Sequence, residues 1–386
     1  MRVLQIVNIG FEAGGAEKSV RLIAEGLEAR GHRVRVVATD LLADGREVFA
    51  DDLVPAISGG PAARLRRKFW YRGAYDAVRR VVADFRPDVV HLHTIGEFSP
   101  SVLSATRGIP RLLTVHGPED WTVGLLRWNL PSAAAGGRLS AVDTARYLYL
   151  RLLQRPAYLP RIRAVDRVLA PSRHFGDVVR RDVGRVPVHV VPNGIPRQAA
   201  AAPLTDTGRL LFVGRLEQVK GVHLLLDAFR QVVARHPDAR LTVVGDGGDR
   251  TRLEAAAADL TAAGQVDFRG WLAPEGVRDC LRSASVVVLP SLWPENFPTV
   301  ALEALQMGRP LVAARVGGLP ELVGPDNGLL VPAGDRAALA DALTGLLGDR
   351  ERLAALGAGS AARAERYGVE EFLDALEHHY REVLAQ

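Results

Sequence analysis

The 386-residue chain has a single cysteine, Cys280, and few aromatics, 6% of its residues. One cysteine can form neither an intramolecular disulfide nor a zinc cluster, so a disulfide-stapled scaffold and a zinc module are excluded. No run approaches the ~18 uninterrupted apolar residues that a membrane span needs. The opening Met1-Arg2-Val3-Leu4-Gln5-Ile6-Val7 is a short apolar run that meets Asn8 and Glu12 at once, which is not the plan of a secretory leader. There is no Walker-type phosphate loop and no His-Glu-x-x-His motif, and no spaced acidic pair suits a metal-bound diphosphate. The expectation from these absences is a soluble cytoplasmic protein that needs no metal.

Apolar residues are plentiful, at 48%, and the length allows two domains of roughly 150 residues or more. The net charge of +5 hides an asymmetry: residues 1–200 hold 30 Lys+Arg against 19 Asp+Glu, and residues 201–386 hold 19 against 25. A basic first half suits an anionic partner or surface, and it also suits Arg-rich solvated faces.

Short apolar runs alternate with helical patterns. In the first half the strand candidates are Arg2–Ile9, Arg33–Thr39, Asp88–Thr94, Arg111–His116, Arg167–Pro171 and Val188–Pro192. In the second they are Arg209–Val213, Arg240–Gly245, Val266–Gly270, Ser285–Pro290, Pro310–Ala314 and Gly328–Val331. These runs are rich in Val, Leu and Ile without polar alternation, as strands covered on both faces are. The fold class is therefore α/β, with two doubly wound Rossmann-like parallel-sheet domains. The small-residue stretch from Gln198 to Gly208 reads as the linker. The predicted division is 1–198, 199–366 and a helix over 367–386, with Ala133–Gly137 a flexible loop.

Four constellations carry chemistry. Gly14-Gly15-Ala16-Glu17 follows the first strand and opens a helix, where close main-chain approach and free N–H groups suit an anion. The alternative is a plain turn with Glu17 favouring the helix start. Gly214-Arg215 and Lys220-Gly221 follow the first strand of the second half. The planar fork of Arg215 and the compact charge of Lys220 suit a diphosphate. Glu295-Asn296-Phe297-Pro298-Thr299-Val300 leads to Glu303 in a helix, with Pro298 in its first turn. A carboxylate there accepts vicinal hydroxyls, and the first-turn N–H groups can face a phosphate or a sugar. His116-Gly117 ends a strand and can point at a hydroxyl. His91 and His93 alternate on a strand and lean to a structural role. Gly245-Asp246-Gly247-Gly248-Asp249-Arg250 only mimics a dinucleotide fingerprint, since Arg250 stands where the third small residue belongs. It reads as a turn beside the ligand.

In this order, together with Thr114-Val115-His116-Gly117, Ala170-Pro171-Ser172-Arg173, Val191-Pro192-Asn193-Gly194-Ile195 and Gly317-Gly318-Leu319-Pro320-Glu321, these motifs resemble the family 4 glycosyltransferases of the GT-B fold over nearly the whole chain. The resemblance implies two domains facing across a cleft and retaining transfer of a hexose-type sugar from a nucleoside-diphosphate sugar, with UDP as the expected carrier. No cofactor and no obligatory metal are implied. Arg215 and Lys220 would neutralise the leaving diphosphate, Glu303 would bind the ribose, and Glu295 would contact the donor sugar. Asn296, Phe297, Pro298, Thr299 and Val300 would lie along sugar and phosphates. Main chain near Trp271 and Leu272 would hold the base, with Gly245 beside them. Gly14 and Gly15 would pack on the phosphates, and His116 would face the transferred sugar. Pro298-Thr299 departs from the commoner Gly plus apolar residue, and this is where the sugar is read. A helix over Glu370–Leu384 would cross back to the first domain.

The implied partners are the donor and a hydroxyl acceptor, with no nucleic acid. Residues Glu12, Glu97, Glu119, Asp120 and Trp121 follow strand ends and would receive a small polyhydroxylated or amino-bearing acceptor. Conversely, Arg64 to Arg72 mixes cations with Phe69, Trp70 and Tyr71, a pattern that suits peripheral contact with anionic membrane and a lipid-linked or polysaccharide acceptor. A nucleotide-sugar epimerase on the same fold, and a non-catalytic sugar-binding protein, are the competing readings.

Overall fold

The computed structural model describes residues 1–117, 121–122, 130, 139–197 and 208–386. The predicted loop at Ala133–Gly137 and most of the predicted linker lie outside them. The chain forms two compact units, Met1–Gly194 with Val369–Gln386, and Ile195–Gly368.

The first unit holds strands β1 (Arg2–Ile9), β2 (Arg33–Thr39), β3 (Asp52–Val54), β4 (Val89–Leu92), β5 (Arg111–Thr114), β6 (Arg167–Ala170) and β7 (Val188–Val190). All pair in parallel, in the order β3-β2-β1-β4-β5-β6-β7. The sequence predicted six strands here, and β3 is the correction. It is a three-residue edge strand with Leu53 exposed, too short to show as an apolar run. The sheet is apolar on both faces. Leu4, Ile6, Val90, Leu92 and Leu113 pack on one side with Phe98, Phe175 and Tyr158. On the other side Val3, Val89, Leu112 and Leu169 meet Ile23 and Leu27 of the helix Gly15–Ala29, and Phe372, Leu373, Leu376 and Tyr380 of the helix Val369–Leu384.

That second helix is fastened as well as packed. Arg30 bonds Glu370, Asp374 and Glu377, His32 Nε2 lies 3.1 Å from Glu377, and Arg167 bonds Glu382. A Cβ at Gly26 would stand 2.4 Å from a methyl of Leu373, so the two helices touch closely there and a larger residue would make Leu373 shift.

The second unit holds β8 (Arg209–Val213), β9 (Arg240–Val244), β10 (Val266–Gly270), β11 (Val286–Leu289), β12 (Leu311–Ala314) and β13 (Gly328–Val331). They pair in parallel in the order β10-β9-β8-β11-β12-β13. The order in which strands are added reverses between β8 and β11, and ligands of doubly wound sheets bind beyond the carboxyl ends of such neighbours. The chain enters and leaves this unit side by side: Ile195 bridges Gly368 in parallel, and its N–H donates to Tyr367 O at 3.0 Å.

Candidate functional site

Both motifs of the second unit sit at that reversal point. After β8 the chain makes Gly214-Arg215, a 3₁₀ turn over Gln218–Lys220 and then Gly221. After β11 it makes the loop that leads to the helix Thr299–Gln306. The loops interlock: Leu292 N–H donates to Val219 O at 2.7 Å, and Gly318 N–H to Glu295 O at 2.7 Å. Gly221 has φ of 71°, and a Cβ there would meet Pro290 O at 2.0 Å. Only glycine both takes this left-handed turn and lets the first loop lie on the end of β11. Gly245, with φ of 131°, likewise leaves no space, since a Cβ would stand 1.9 Å from Gly214 O. Its part is to seat the β9 turn against Gly214, directly before Arg215.

Lys220 and Glu295 meet there. Lys220 Nζ donates to Glu295 Oε1 at 2.7 Å, and Ser291 Oγ donates to the same oxygen at 2.6 Å. The side chains are 16% and 9% exposed. The Lys220 ammonium also stands 5.1 Å from the ring centroid of Trp293. Burial pushes the Glu295 carboxyl up, but the Lys220 charge and the hydrogen bonds from Lys220 and Ser291 outweigh it and hold the group below the usual carboxylate range. The result is an ionised pair at the strand ends. Arg215 is different: its side chain is 62% exposed and lies 2.7 Å from Glu217, a bond that exposure and solvent make weak. It is an exposed cation on the same loop as a buried one.

The rest of the motif divides between contact and core. Asn296 is buried, and Phe297 is 5% exposed with its ring edge-on to Tyr367 at 5.4 Å. The Phe297 ring thus belongs to the core. Pro298 is not in the first turn of the helix, as the sequence suggested. It is the residue just before it, with its carbonyl accepting from Ala301 N–H at 3.0 Å. Thr299 and Val300 open the helix, half-buried, with first-turn N–H groups that suit an anion. Glu303 is half-buried on the same helix, Trp271 is 72% exposed, and Leu272 packs on the core.

In the first unit, Gly14 caps the helix Gly15–Ala29. Glu17, 8% exposed, accepts from Gly14 N–H and from its own, the inner half of a capping box. The helix start therefore already carries a carboxylate. Asn8 pegs the ends of β1 and β4, its N–H donating to Thr94 Oγ1 at 3.1 Å and its Oδ1 accepting from Glu97 N–H at 2.9 Å. Of the acceptor candidates, Glu12 is 3.2 Å from Arg21, and Glu97 is 2.9 Å from Lys68. Glu119 and Asp120 lie outside the described residues. Trp121 is 1% exposed among Tyr158, Phe98 and Phe175, so its ring belongs to the core and not to an acceptor surface. Its place after a strand end suggested an acceptor contact, whereas Trp121 is held from both sides, its carbonyl accepting from Arg155 at 3.3 Å and its ring packed in the core.

His116 is half-buried, and burial lowers its pKa to about 4, so it is neutral at pH 7. Its Nε2 lies 2.9 Å from His93 Nδ1. His93, buried as a structural histidine is, makes that contact from the end of β4. Ser291, Asn8 and Gln5 are the other partners that sequence reasoning missed. None belongs to a motif: Asn8 and Gln5 meet their partners through the β1–β4 pairing, and Ser291 meets Glu295 within one loop.

Residues 13–199 match the family model described as Glycosyltransferase Family 4, and residues 207–349 match the one described as Glycosyl transferases group 1. A phosphatidyl-myo-inositol mannosyltransferase of Mycobacterium leprae is 31% identical over 94% of this chain and 92% of its own. A D-inositol 3-phosphate glycosyltransferase of Acidothermus cellulolyticus is 38% identical over 58% of this chain and 54% of its own. Among solved structures, sucrose-phosphate synthase of Thermosynechococcus elongatus shares the fold with a TM-score of 0.78 at 22% identity, over 100% of this chain and 99% of that one. Anabaena HepE in complex with UDP and glucose does so at 0.70 and 20% identity, over 99% and 100%.

Proposed function

Since this chain belongs to the family 4 glycosyltransferases and is an enzyme of that kind, we propose that it transfers a hexose from a nucleoside-diphosphate sugar to a hydroxyl with retention at the anomeric carbon. The observation that carries the reading is the buried Lys220–Glu295 pair at the ends of β8 and β11, with Arg215 on the same loop as Lys220. Breaking the anomeric bond builds negative charge on the diphosphate. Fixed cations stabilise that charge more in the transition state than in the ground state. Lys220, held by Glu295, is the fixed one, and Arg215 folds in from solvent when the diphosphate arrives. Glu303 takes the ribose hydroxyls, the main chain near Trp271 and Leu272 takes the base, and Glu295 with residues 296–300 reads the sugar. The acceptor hydroxyl attacks the anomeric carbon from the face that the diphosphate leaves, a diphosphate oxygen takes its proton, and no enzymic nucleophile is needed. With the leaving group neutralised by side chains, EDTA leaves turnover unchanged.

UDP is the carrier to test first, because HepE has been solved with it. A panel of UDP, GDP, ADP and TDP in melting experiments identifies the base, since a ligand at about 100 times its Kd adds roughly 2.7 kcal/mol. Transfer requires donor consumption that depends on added acceptor and an axial or equatorial product bond matching the donor. No stabilisation by any of the four, or inversion at the anomeric carbon, refutes the reading. Donor consumption without an acceptor product would favour the epimerase.

For the acceptor, one surface favours a lipid-linked substrate over a small soluble one. The helix Pro61–Phe69 buries none of its residues and carries Arg64, Arg66, Arg67 and Lys68, with Leu65 and Trp70 exposed. Phe69 meets Tyr149 edge-on at 6.1 Å. Tyr149 belongs to a second helical stretch that exposes Val142, Leu148, Leu152 and Leu153. From 144 to 165 there are five arginines and no acid. Exposed leucines ringed by cations suit the headgroup zone of an anionic bilayer, and no helix among the described residues is long and apolar enough to cross one.

A further inference from the structure

We propose that the second unit carries a separate site for a small organic phosphate monoester, held by Arg315 and Arg363 beside the edge strand β13, and that its occupant steadies the loop of Glu295. The site goes beyond the donor reading, and only its bearing on the donor rests on that reading.

The site begins with turn chemistry. Ahead of β13 the chain runs Gly324-Pro325-Asp326-Asn327-Gly328, a sequence suited to a tight turn. Asn327 is 0% exposed and braces the turn from within: its Oδ1 accepts from Gly324 N–H at 2.7 Å, and its Nδ2 donates to Leu322 O at 3.0 Å. Gly328 N–H donates to Gly324 O at 3.0 Å. From the helix Arg350–Ala364, Ser360 Oγ donates to Asn327 O at 3.2 Å. β13 ends the strand order of its sheet. Beside the braced turn and this edge lies a cavity of about 500 Å³, walled by Val323, Pro325 and Leu330 and flanked by Arg315 and Arg363. Small-molecule sites have this make-up, a preformed and mostly apolar cavity with a few placed polar groups.

Its two charged groups are guanidiniums with donors to spare. Each has five N–H groups and no acceptor. Arg315 is exposed, and no described residue takes a hydrogen bond from its side chain. Arg363 donates to Asp326 at 2.7 Å and to Glu321 O at 3.5 Å, and its Nε is buried without a partner among the described residues. Asp326 is 54% exposed, so its hold on Arg363 is weak in water and yields to a stronger anion. Two guanidiniums match the charge and the oxygens of a phosphate monoester, and the apolar wall takes its carbon body.

The cavity reaches the Lys220–Glu295 pair through the main chain. Arg315 leads into Val316-Gly317-Gly318. A Cβ at Gly317 would stand 2.1 Å from Glu295 O, and Gly318 N–H donates to that oxygen at 2.7 Å. An anion that pins Arg315 thus steadies the turn on which Glu295 rests.

The probe is phenyl phosphate, titrated calorimetrically into the full chain. It should bind, and Arg315→Ala should weaken it about 10- to 100-fold, the scale of hydrogen bonds to charged groups. The unliganded melting midpoint of the variant should stay within about 2 °C, as for other exposed positions. UDP should bind about fivefold tighter with the probe present, at the low end of measured couplings, and Arg315→Ala should erase that gain. No binding, or binding that Arg315→Ala leaves intact, overturns the site. UDP affinity that the probe weakens in both proteins alike puts the probe at Lys220 and overturns the site as well. Binding that needs Arg315 but leaves UDP affinity unchanged overturns the coupling. If UDP itself does not bind, the donor reading fails, while the loss of probe affinity in Arg315→Ala still decides the site.

Discussion

Removing the Lys220 ammonium should make the second unit unstable in a way that depends on pH. In Lys220→Met the carboxyl of Glu295 keeps its burial but loses the charge that offsets it. Breaking a buried ion pair from one side costs about 3–5 kcal/mol, most of it the uncompensated partner. At about 2–4 °C per kcal/mol for a unit of this size, the midpoint should fall by roughly 6–20 °C at neutral pH. The sign follows from linkage. With Lys220 present, the folded pKa is depressed, so the stabilisation is in place above the unfolded value of about 4.3 and is lost as pH falls below it. Without Lys220 the folded pKa lies above the unfolded one. The variant then loses stability as pH rises from about 4.3 through the raised value. The gap between the two proteins should therefore be small near pH 4.5 and full by pH 7.5. Circular dichroism melts at both pH values measure it. The double variant Lys220→Met/Glu295→Gln should regain much of the loss, because no charge is left buried. A midpoint drop of equal size at both pH values, with no recovery in the double variant, would show that the pair is not the ionised unit described above.

Three further outcomes are expected. Arg215→Ala should leave the melting midpoint within about 1 °C, since the side chain is exposed and its ion pair is with the neighbouring Glu217, yet lower kcat/KM at least 100-fold, the scale of losing a charge-stabilising donor; steady-state kinetics beside a melt separate the two. Gly221→Ala should impair folding or detach the β8 loop, because its Cβ has no space beside Pro290 O and the left-handed turn is strained; soluble yield and melting report it, and a native-like midpoint would refute the steric argument. Leu152→Glu with Leu153→Glu should abolish co-sedimentation with vesicles of one-third anionic lipid and leave transfer to a soluble acceptor analogue unchanged; undiminished vesicle binding would remove that face from the membrane contact.

The strands of the second unit were legible because both faces are covered, so each shows as a bare apolar run such as Arg209–Val213. The edge strand Asp52–Val54 was not, because one side of it meets solvent. Arg215, Lys220 and Glu295 could be picked out by type and by position after strands. That Lys220 and Glu295 touch could not, since 75 residues separate them and only the β8–β11 pairing closes the gap. Pattern misled at Trp121, whose place after a strand end made it look like part of a binding surface, where its ring fills the core. The contact of His93 with His116 was not legible either, because it crosses from the end of β4 to the end of β5.

The helix Val369–Leu384 gives the chain a peculiar order of assembly. Domains tend to fold as units while synthesis proceeds from the N-terminus. Here the sheet begun by β1 has one face, at Val3, Val89, Leu112 and Leu169, whose cover includes residues made only after the whole unit Ile195–Gly368. The first unit to leave the ribosome is thus the last to close, and in the interval it offers chaperones an apolar sheet face with Gly26 open to receive Leu373. Truncation after Gly368 would hold the protein in that state for good.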